Sequence, residues 1–191
     1  MSTFTGFLVI IGLVVIERLL ELVLTRRHTR KLLARGGKIL GQRHYPFMVA
    51  LHASLLAVAP LEAWWFDRPF LPWLGWPALA LVGLSMMLRY WAIVSLGERW
   101  TTTVVVVPGE TAIRRGPYQF FRHPNYVAVI IEVIALPLIH TAWWTALVYG
   151  SLNLLVLRAR IRVEEAALRE YADWQRVMTG VPSFPTGNTP E

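Results

Sequence analysis

The chain has 191 residues, 55% of them hydrophobic and only 16% charged, against about 25% charged in soluble domains. It contains no cysteine, which excludes disulfides, thiolate metal sites and cysteine nucleophiles. Its net charge of +7 is no nucleic-acid signature: seven of the nineteen Lys and Arg lie between Arg26 and Arg43 with no acid among them, directly after an apolar stretch, and charge so placed marks the cytoplasmic side of a membrane span.

Residues 4–24 are long enough to cross a bilayer, since about 20 residues at ~1.5 Å each cover its ~30 Å core. The basic block follows this span, so the amino terminus is expected outside and residues 25–44 in a cytoplasmic loop broken by Gly36, Gly37 and Gly41. A second span covers 45–66 and ends in a nearly neutral outer turn, Asp67-Arg68-Pro69, among Trp64, Trp65, Phe66, Trp73 and Trp76, as an interfacial aromatic belt would. A third span runs over about 77–96. Thr103–Val107 and Glu110–Ile113, separated by Pro108-Gly109, are expected to pair as a small hairpin on the cytoplasmic face. Residues 126–139 and 143–157 form two short spans joined by a tight outer turn. Residues 158–178 are charged on one face and apolar on the other, continuing the fifth helix into the cytoplasm. The expected fold is therefore one all-α integral membrane domain, 1–191, of five transmembrane helices with the amino terminus out and the carboxyl terminus in. Residues 98–126 and 158–182 make up its cytoplasmic region.

Gly116-Pro117-Tyr118 and Arg122-His123-Pro124-Asn125-Tyr126 concentrate hydrogen-bonding groups just where an apolar block begins. His123 before Pro124 is biased out of helix, so a helix is expected to start there. Its unpaired N–H groups and dipole favour an anion, and Arg122 with His123 would complete a pocket for a carboxylate or phosphate. An ordinary basic loop with an interfacial Tyr is the competing reading. Arg160 and Glu164, four residues apart on the last helix, stand at the same depth. Facing a helix start, they could hold a zwitterion.

Seven ionisable residues fall inside the expected spans: Glu17, Arg18, Glu21, His52, Glu62, Arg89 and Glu132. Each costs about 2.5–3.5 kcal/mol at mid-bilayer and is expected to face the bundle interior. Interhelical ion pairs account best for Glu21, Glu62 and Arg89. For Glu17, His52 and Glu132 a polar substrate pocket is an equal alternative. The histidines lack ligand spacing, so no metal is implied.

These residues resemble the isoprenylcysteine carboxyl methyltransferases and their bacterial relatives. The likeness lies in Gly116-Pro117-Tyr118, Arg122 to Tyr126, Arg160 with Glu164-Glu165 and Leu168, and Val177 to Pro182. Glu17-Arg18, Glu21, His44-Tyr45-Pro46 and His52 are similar to a bacterial branch. The resemblance implies a multi-pass enzyme of the bacterial inner membrane that uses S-adenosyl-L-methionine to methylate a carboxylate or an enol or phenol oxygen. Its lipophilic acceptor would come from the membrane lipid. Carried over by position, Glu110, Thr111, Ala112, Ile113, Tyr118, Arg122, His123, Pro124, Asn125, Tyr126 and Glu164 would hold the cofactor, and Arg160 would act at the reacting centre. Family members often carry His or Lys where this chain has Glu110. Two other readings compete: an NADPH-dependent sterol-type reductase, which shares the Arg-His-Pro-Asn-Tyr motif, and a non-enzymatic membrane scaffold whose buried charges are only ion pairs.

Overall fold

The computed structural model describes residues 3–40 and 45–182; His44 and Gly41 of the sequence reading, and the proline-rich tail, lie outside them. The element order is α1 (Thr3–Ala34), β1 (Lys38–Leu40), α2 (Tyr45–Trp65), α3 (Pro72–Leu96), β2 (Val104–Val106), α4 (Pro124–Leu138), α5 (Trp143–Tyr171) and the single turn α6 (Trp174–Val177). Two helical stretches, Tyr45–Trp65 and Pro72–Arg99, are long and apolar enough to cross a membrane, whereas the apolar Pro124–Leu138 is shorter.

Three boundaries differ from the sequence reading. The basic block is helix rather than loop: α1 carries straight through Arg26 to Lys31, because Lys and Arg are good helix formers and the first break comes at Gly36, whose φ is +83°. The third helix starts at Pro72, with proline in the first turn, where its missing N–H costs nothing. The expected hairpin does not form. Val104–Val106 pairs antiparallel with Lys38–Leu40 instead, and Glu110–Ile113 is not strand, because its polar backbone groups are used elsewhere. Ala112 N–H donates to Asp173 (2.8 Å), and the Thr111 carbonyl accepts from Arg99.

Helices in lipid gain nothing from burying apolar surface against one another and associate by close packing. Accordingly, Ala59 and Ala63 of α2, Ala78 of α3 and Ala135 of α4 are buried where these helices meet Phe7, Ile11 and Val14 of α1. Outside this core the surface stays greasy: Leu13, Leu20, Trp65, Trp73, Met87 and Val94 are all more than half exposed, the pattern expected where lipid replaces water. A second cluster, Leu55, Tyr126, Val129, Val133, Leu157 and Ile161, joins α2, α4 and α5. A third sets Ala92 and Tyr118 against Trp174, Met178 and Val181, so the C-terminal segment closes over the start of α4. Gly116 is needed there: its φ is +58°, and a Cβ would sit 2.1 Å from Ser95 Oγ.

The buried charges have partners across helices. Glu132 accepts from Arg18 (2.6 Å) and Arg89 (2.7 Å), and Arg18 also pairs with Glu17 (3.2 Å) and Glu21. Glu62 does more than pair with Arg68 (3.0 Å). Its oxygens accept from the N–H groups of Trp144 and Thr145 and from Thr145 Oγ1. A carboxylate on α2 thus caps α5, satisfying orphan donors that water would otherwise serve.

Candidate active site

A cavity of about 530 Å³ lies inside the bundle, within the ~300–1,000 Å³ usual for small-molecule sites. Its walls differ from end to end. Val15, Leu19 and Leu22 of α1 with Val49, Ala53 and Leu56 of α2 give one part an apolar wall, which Arg18 and Glu21 of α1 and Arg89 of α3 interrupt with charge. The other end is lined by Glu110 to Ile113, by Tyr118, Arg122, His123 and Asn125, and by Glu164, Trp174 and Met178. Tyr126, Arg160, Thr102, Met48 and His52 also line it.

The start of α4 builds much of the polar end. His123 caps the helix and Pro124 occupies the first turn, as the His-Pro pair dictates. This start is less open to an anion than an ideal helix terminus. Pro124 has no N–H, and those of Tyr126 and Val127 both turn back on the His123 carbonyl. His123 itself is buried, stacks on Tyr126 at 5.3 Å and places Nε2 3.1 Å from Glu165 Oε1. Burial alone would raise the Glu165 carboxyl, but the His123 hydrogen bond and nearby Arg169 and Arg122 hold it below the usual carboxylate range. Arg122 is committed in another direction: its Nε donates to the Val181 carbonyl (2.6 Å) and its guanidinium lies over Trp174.

Where α4 meets α5, Arg160 Nε donates to the Tyr126 hydroxyl (2.6 Å), which itself donates to Glu164. Arg160 also donates to the Thr102 carbonyl (2.5 Å), and its Nη1 rests 3.5 Å from Met48 Sδ. The Arg-His-Pro-Asn-Tyr and Arg160-to-Glu164 segments, far apart in sequence, therefore meet on one side of the bundle. Burial pushes the Tyr118 hydroxyl pKa well up, with the Glu164 charge adding to it, so Tyr118 stays neutral.

Most of the sequence-predicted residues are brought together here, and three are not. Pro124 is buried at the head of α4. Glu17 and Glu132 are not among the lining residues, while His52 is. Glu110 lines the cavity but its carboxylate is paired with Arg35 and Arg99. The sequence reading missed the Thr101-Thr102-Thr103 run and Met48, because nothing in a β-branched stretch or one methionine marks a cavity wall. It also missed Asp173, which holds the 110–113 segment against the C-terminal turn.

The cavity carries orphaned polar atoms. Asn125 Oδ1, Thr103 Oγ1 and His52 Nε2 are buried without a hydrogen-bond partner among the described residues. Such atoms are rare unless a ligand or water serves them. Asn125 Oδ1 and Thr103 Oγ1, on residues that line the same cavity as Glu164 and Tyr118, fit a ligand with cationic and hydroxyl donors and a flat ring.

The sequence profile of the isoprenylcysteine carboxyl methyltransferase (ICMT) family matches residues 78–170. The chain is 34% identical over 167 residues to the uncharacterized protein YpbQ of Bacillus subtilis, covering 87% of this chain and 98% of that one. It is 31% identical over 152 residues to an uncharacterized protein of Haemophilus influenzae, covering 79% and 88%. Among solved structures it resembles the eukaryotic intramembrane Ras methyltransferase ICMT, with a TM-score of 0.57 at 23% identity. That likeness, which concerns the fold, covers 74% of this chain and about half (53%) of that one.

Proposed function

Because the chain belongs to the isoprenylcysteine carboxyl methyltransferase family, a family of membrane methyltransferases, we propose that it transfers a methyl group from S-adenosyl-L-methionine to an oxygen of a lipophilic acceptor. The observation that carries this reading is a single cavity lined by His123, Glu164 and Arg160 and also by a run of apolar residues from α1 and α2, with Arg18, Glu21 and Arg89 among them. The donor supplies a sulfonium methyl group whose displacement needs little beyond alignment and exclusion of water.

The chain's residues divide that task. Glu164 is the carboxylate available to an ammonium group, held in place by the Tyr126 hydroxyl. Asn125 Oδ1 and Thr103 Oγ1 offer acceptors to hydroxyl donors. Tyr118 offers an aromatic ring to a flat base. The C-terminal turn, tied down by Asp173 and by Arg122 on Val181, keeps water out of the polar end. Arg160 orients a carboxylate or an enol or phenol oxygen arriving from lipid between α1 and α2.

The same reading places the protein in a bacterial inner membrane, with five spans, the amino terminus out and the basic end of α1 in the cytoplasm. Equilibrium dialysis of purified protein tests the function. Saturable retention of S-adenosylhomocysteine but not NADPH is expected, followed by transfer of radiolabelled methyl to a component of the host's lipid extract. Retention of NADPH alone would make the protein a reductase; retention of neither would leave a scaffold.

A further inference from the structure

The cations at the basic end of the bundle fall into two groups. Most are committed within the protein. Lys31 and Arg35 pair with Glu98 and Glu110, Arg99 shares Glu110, Arg169 pairs with Glu165 and Arg176 with Asp173. Arg114 and Arg115 donate to the carbonyls of Val177 and Ser95, and Lys38 lies over the Tyr171 ring. Five arginines have no hydrogen bond, ion pair or ring contact among the described residues: Arg26, Arg27 and Arg30 of α1, and Arg158 and Arg162 of α5. All five are exposed.

Their places on the helices say what they face. Residues three or four apart share one side of a helix. On α1 the exposed Leu13, Ile16, Leu20 and Val23 lead in that spacing to Arg27 and Arg30, while the exposed Leu19 and Val23 lead to Arg26. On α5 the exposed Leu147 and Leu155 lead to Arg158 and Arg162. Each arginine therefore ends an outward stripe of hydrocarbon. The rise from Phe4 to Arg26 is about 33 Å at ~1.5 Å per residue, close to the ~30 Å thickness of the lipid tails, so the α1 arginines emerge where the phosphates begin. Arg158 and Arg162 follow a shorter stretch, and their long side chains extend toward the same layer. The two sets stand at one end of the bundle: Lys38–Leu40, just after α1, pairs with Val104–Val106, and that strand packs on Ala167 of α5.

Resting on the placement of α1 and α5 in a bilayer, we propose that Arg26, Arg27, Arg30, Arg158 and Arg162 form a binding surface for anionic phospholipid headgroups, of the phosphatidylglycerol type, in the leaflet at the basic end of the bundle. The guanidinium fork matches two phosphate oxygens, and the leucines and valine leading to each arginine match the acyl chains. Anionic lipid attracts basic side chains held at this level. A zwitterionic lipid brings a cation that the arginines repel. A soluble acidic polypeptide would have to reach side chains set on the flank of the bundle, beside its apolar belt. None of the five arginines lines the cavity, so this surface recognises something other than the methyl acceptor or its donor.

The test titrates full-length protein in dodecylmaltoside with dioleoylphosphatidylglycerol and, separately, with dioleoylphosphatidylcholine, bound lipid being read by native mass spectrometry. The variants replace arginine by glutamine at 26, 27 and 30, at 158 and 162, and at all five positions. Two arginines near one headgroup, at about fivefold each, give wild type a preference of at least about tenfold for the anionic lipid, weaker at high salt. Each partial variant should lower that preference and the fivefold variant should abolish it. The unfolding temperature in detergent alone should stay unchanged, since the five side chains make no polar contact within the protein; should the fivefold variant not fold, the partial variants decide. The proposal is overturned if wild type binds both lipids alike, or if the variants keep the wild-type preference. It is also overturned if protein in phosphatidylcholine nanodiscs binds polyglutamate as tightly and through the same arginines, which would assign the surface to an acidic polypeptide. Release of the protein from membranes by alkaline carbonate would overturn the bilayer placement instead, a separate and recognisable failure.

Discussion

Arg160 and Tyr126 are joined twice: Nε donates to the phenol oxygen at 2.6 Å, and the guanidinium carbon stands 5.5 Å from the centre of the same ring. Since that hydroxyl also donates to Glu164, one tyrosine fixes both charged members of the site. Burial works against the Arg160 charge, yet Tyr126 and Glu164 beside it hold its pKa above the ordinary value.

Removing that hydroxyl should disturb both ends of the cavity. Tyr126→Phe leaves Arg160 Nε and one Glu164 oxygen without their partner, each a loss of about 1–3 kcal/mol when buried. S-adenosylhomocysteine affinity should fall about tenfold through Glu164, and turnover should fall further because Arg160 is no longer aimed. Calorimetric titration and steady-state kinetics separate the two; unchanged turnover at saturating donor would show that Tyr126 does not position Arg160.

The Glu165–His123 contact predicts an acid-side dependence. Glu165 has its carboxyl pKa depressed in the folded state. Its contribution is therefore fully present above the ordinary glutamate value of about 4.3 and is lost as pH falls through the lower folded value. Thermal unfolding in detergent, followed through this acid range, should show wild type losing stability more steeply than Glu165→Gln. Parallel curves would mean the contact adds nothing to folding.

Glu62 should matter for stability and not for ligand binding. Glu62→Gln keeps the shape but weakens acceptance from Trp144 and Thr145 N–H and strands Arg68, while Glu62→Ala removes the cap, at about 1–2 kcal/mol. Both should lower the unfolding temperature, with S-adenosylhomocysteine affinity unchanged because Glu62 lies away from the cavity lining.

The elements that were legible in the sequence were those with local causes. His123-Pro124 dictates where α4 begins, and the i, i+4 spacing of Arg160 and Glu164 puts both on one helix face. What was not legible depends on rotation about helix axes and on long-range pairing. Apolar runs have no periodicity to say which side of α1 or α3 faces α4, so the Arg18–Glu132–Arg89 cluster could not be told from a substrate pocket. Strands of three residues are too short to show alternation, so the pairing of Lys38–Leu40 with Val104–Val106 was invisible and the nearer hairpin looked better. The partner of His123 was hidden for a similar reason: Glu165 stands beside Glu164, and only the helix's orientation decides which carboxylate meets the imidazole.

That charge cluster gives the sharpest test of what is structural and what is functional. Glu132 holds two guanidinium groups, Arg18 and Arg89, and is buried with Arg89. Breaking such a pair from one side leaves an uncompensated charge away from water, a loss of about 3–5 kcal/mol, whereas removing both partners together is often close to neutral. Glu132→Leu should therefore unfold readily, and Glu132→Leu combined with Arg89→Leu should recover much of the lost stability. Glu132 does not line the cavity but Arg89 does, so methyl transfer in the double variant reads the part Arg89 plays in the cavity wall, and it should return with stability where that guanidinium serves only the cluster. If the double variant regains its unfolding temperature but not its turnover, Arg89 contributes to the site through the cavity wall it lines and not only to the charge cluster.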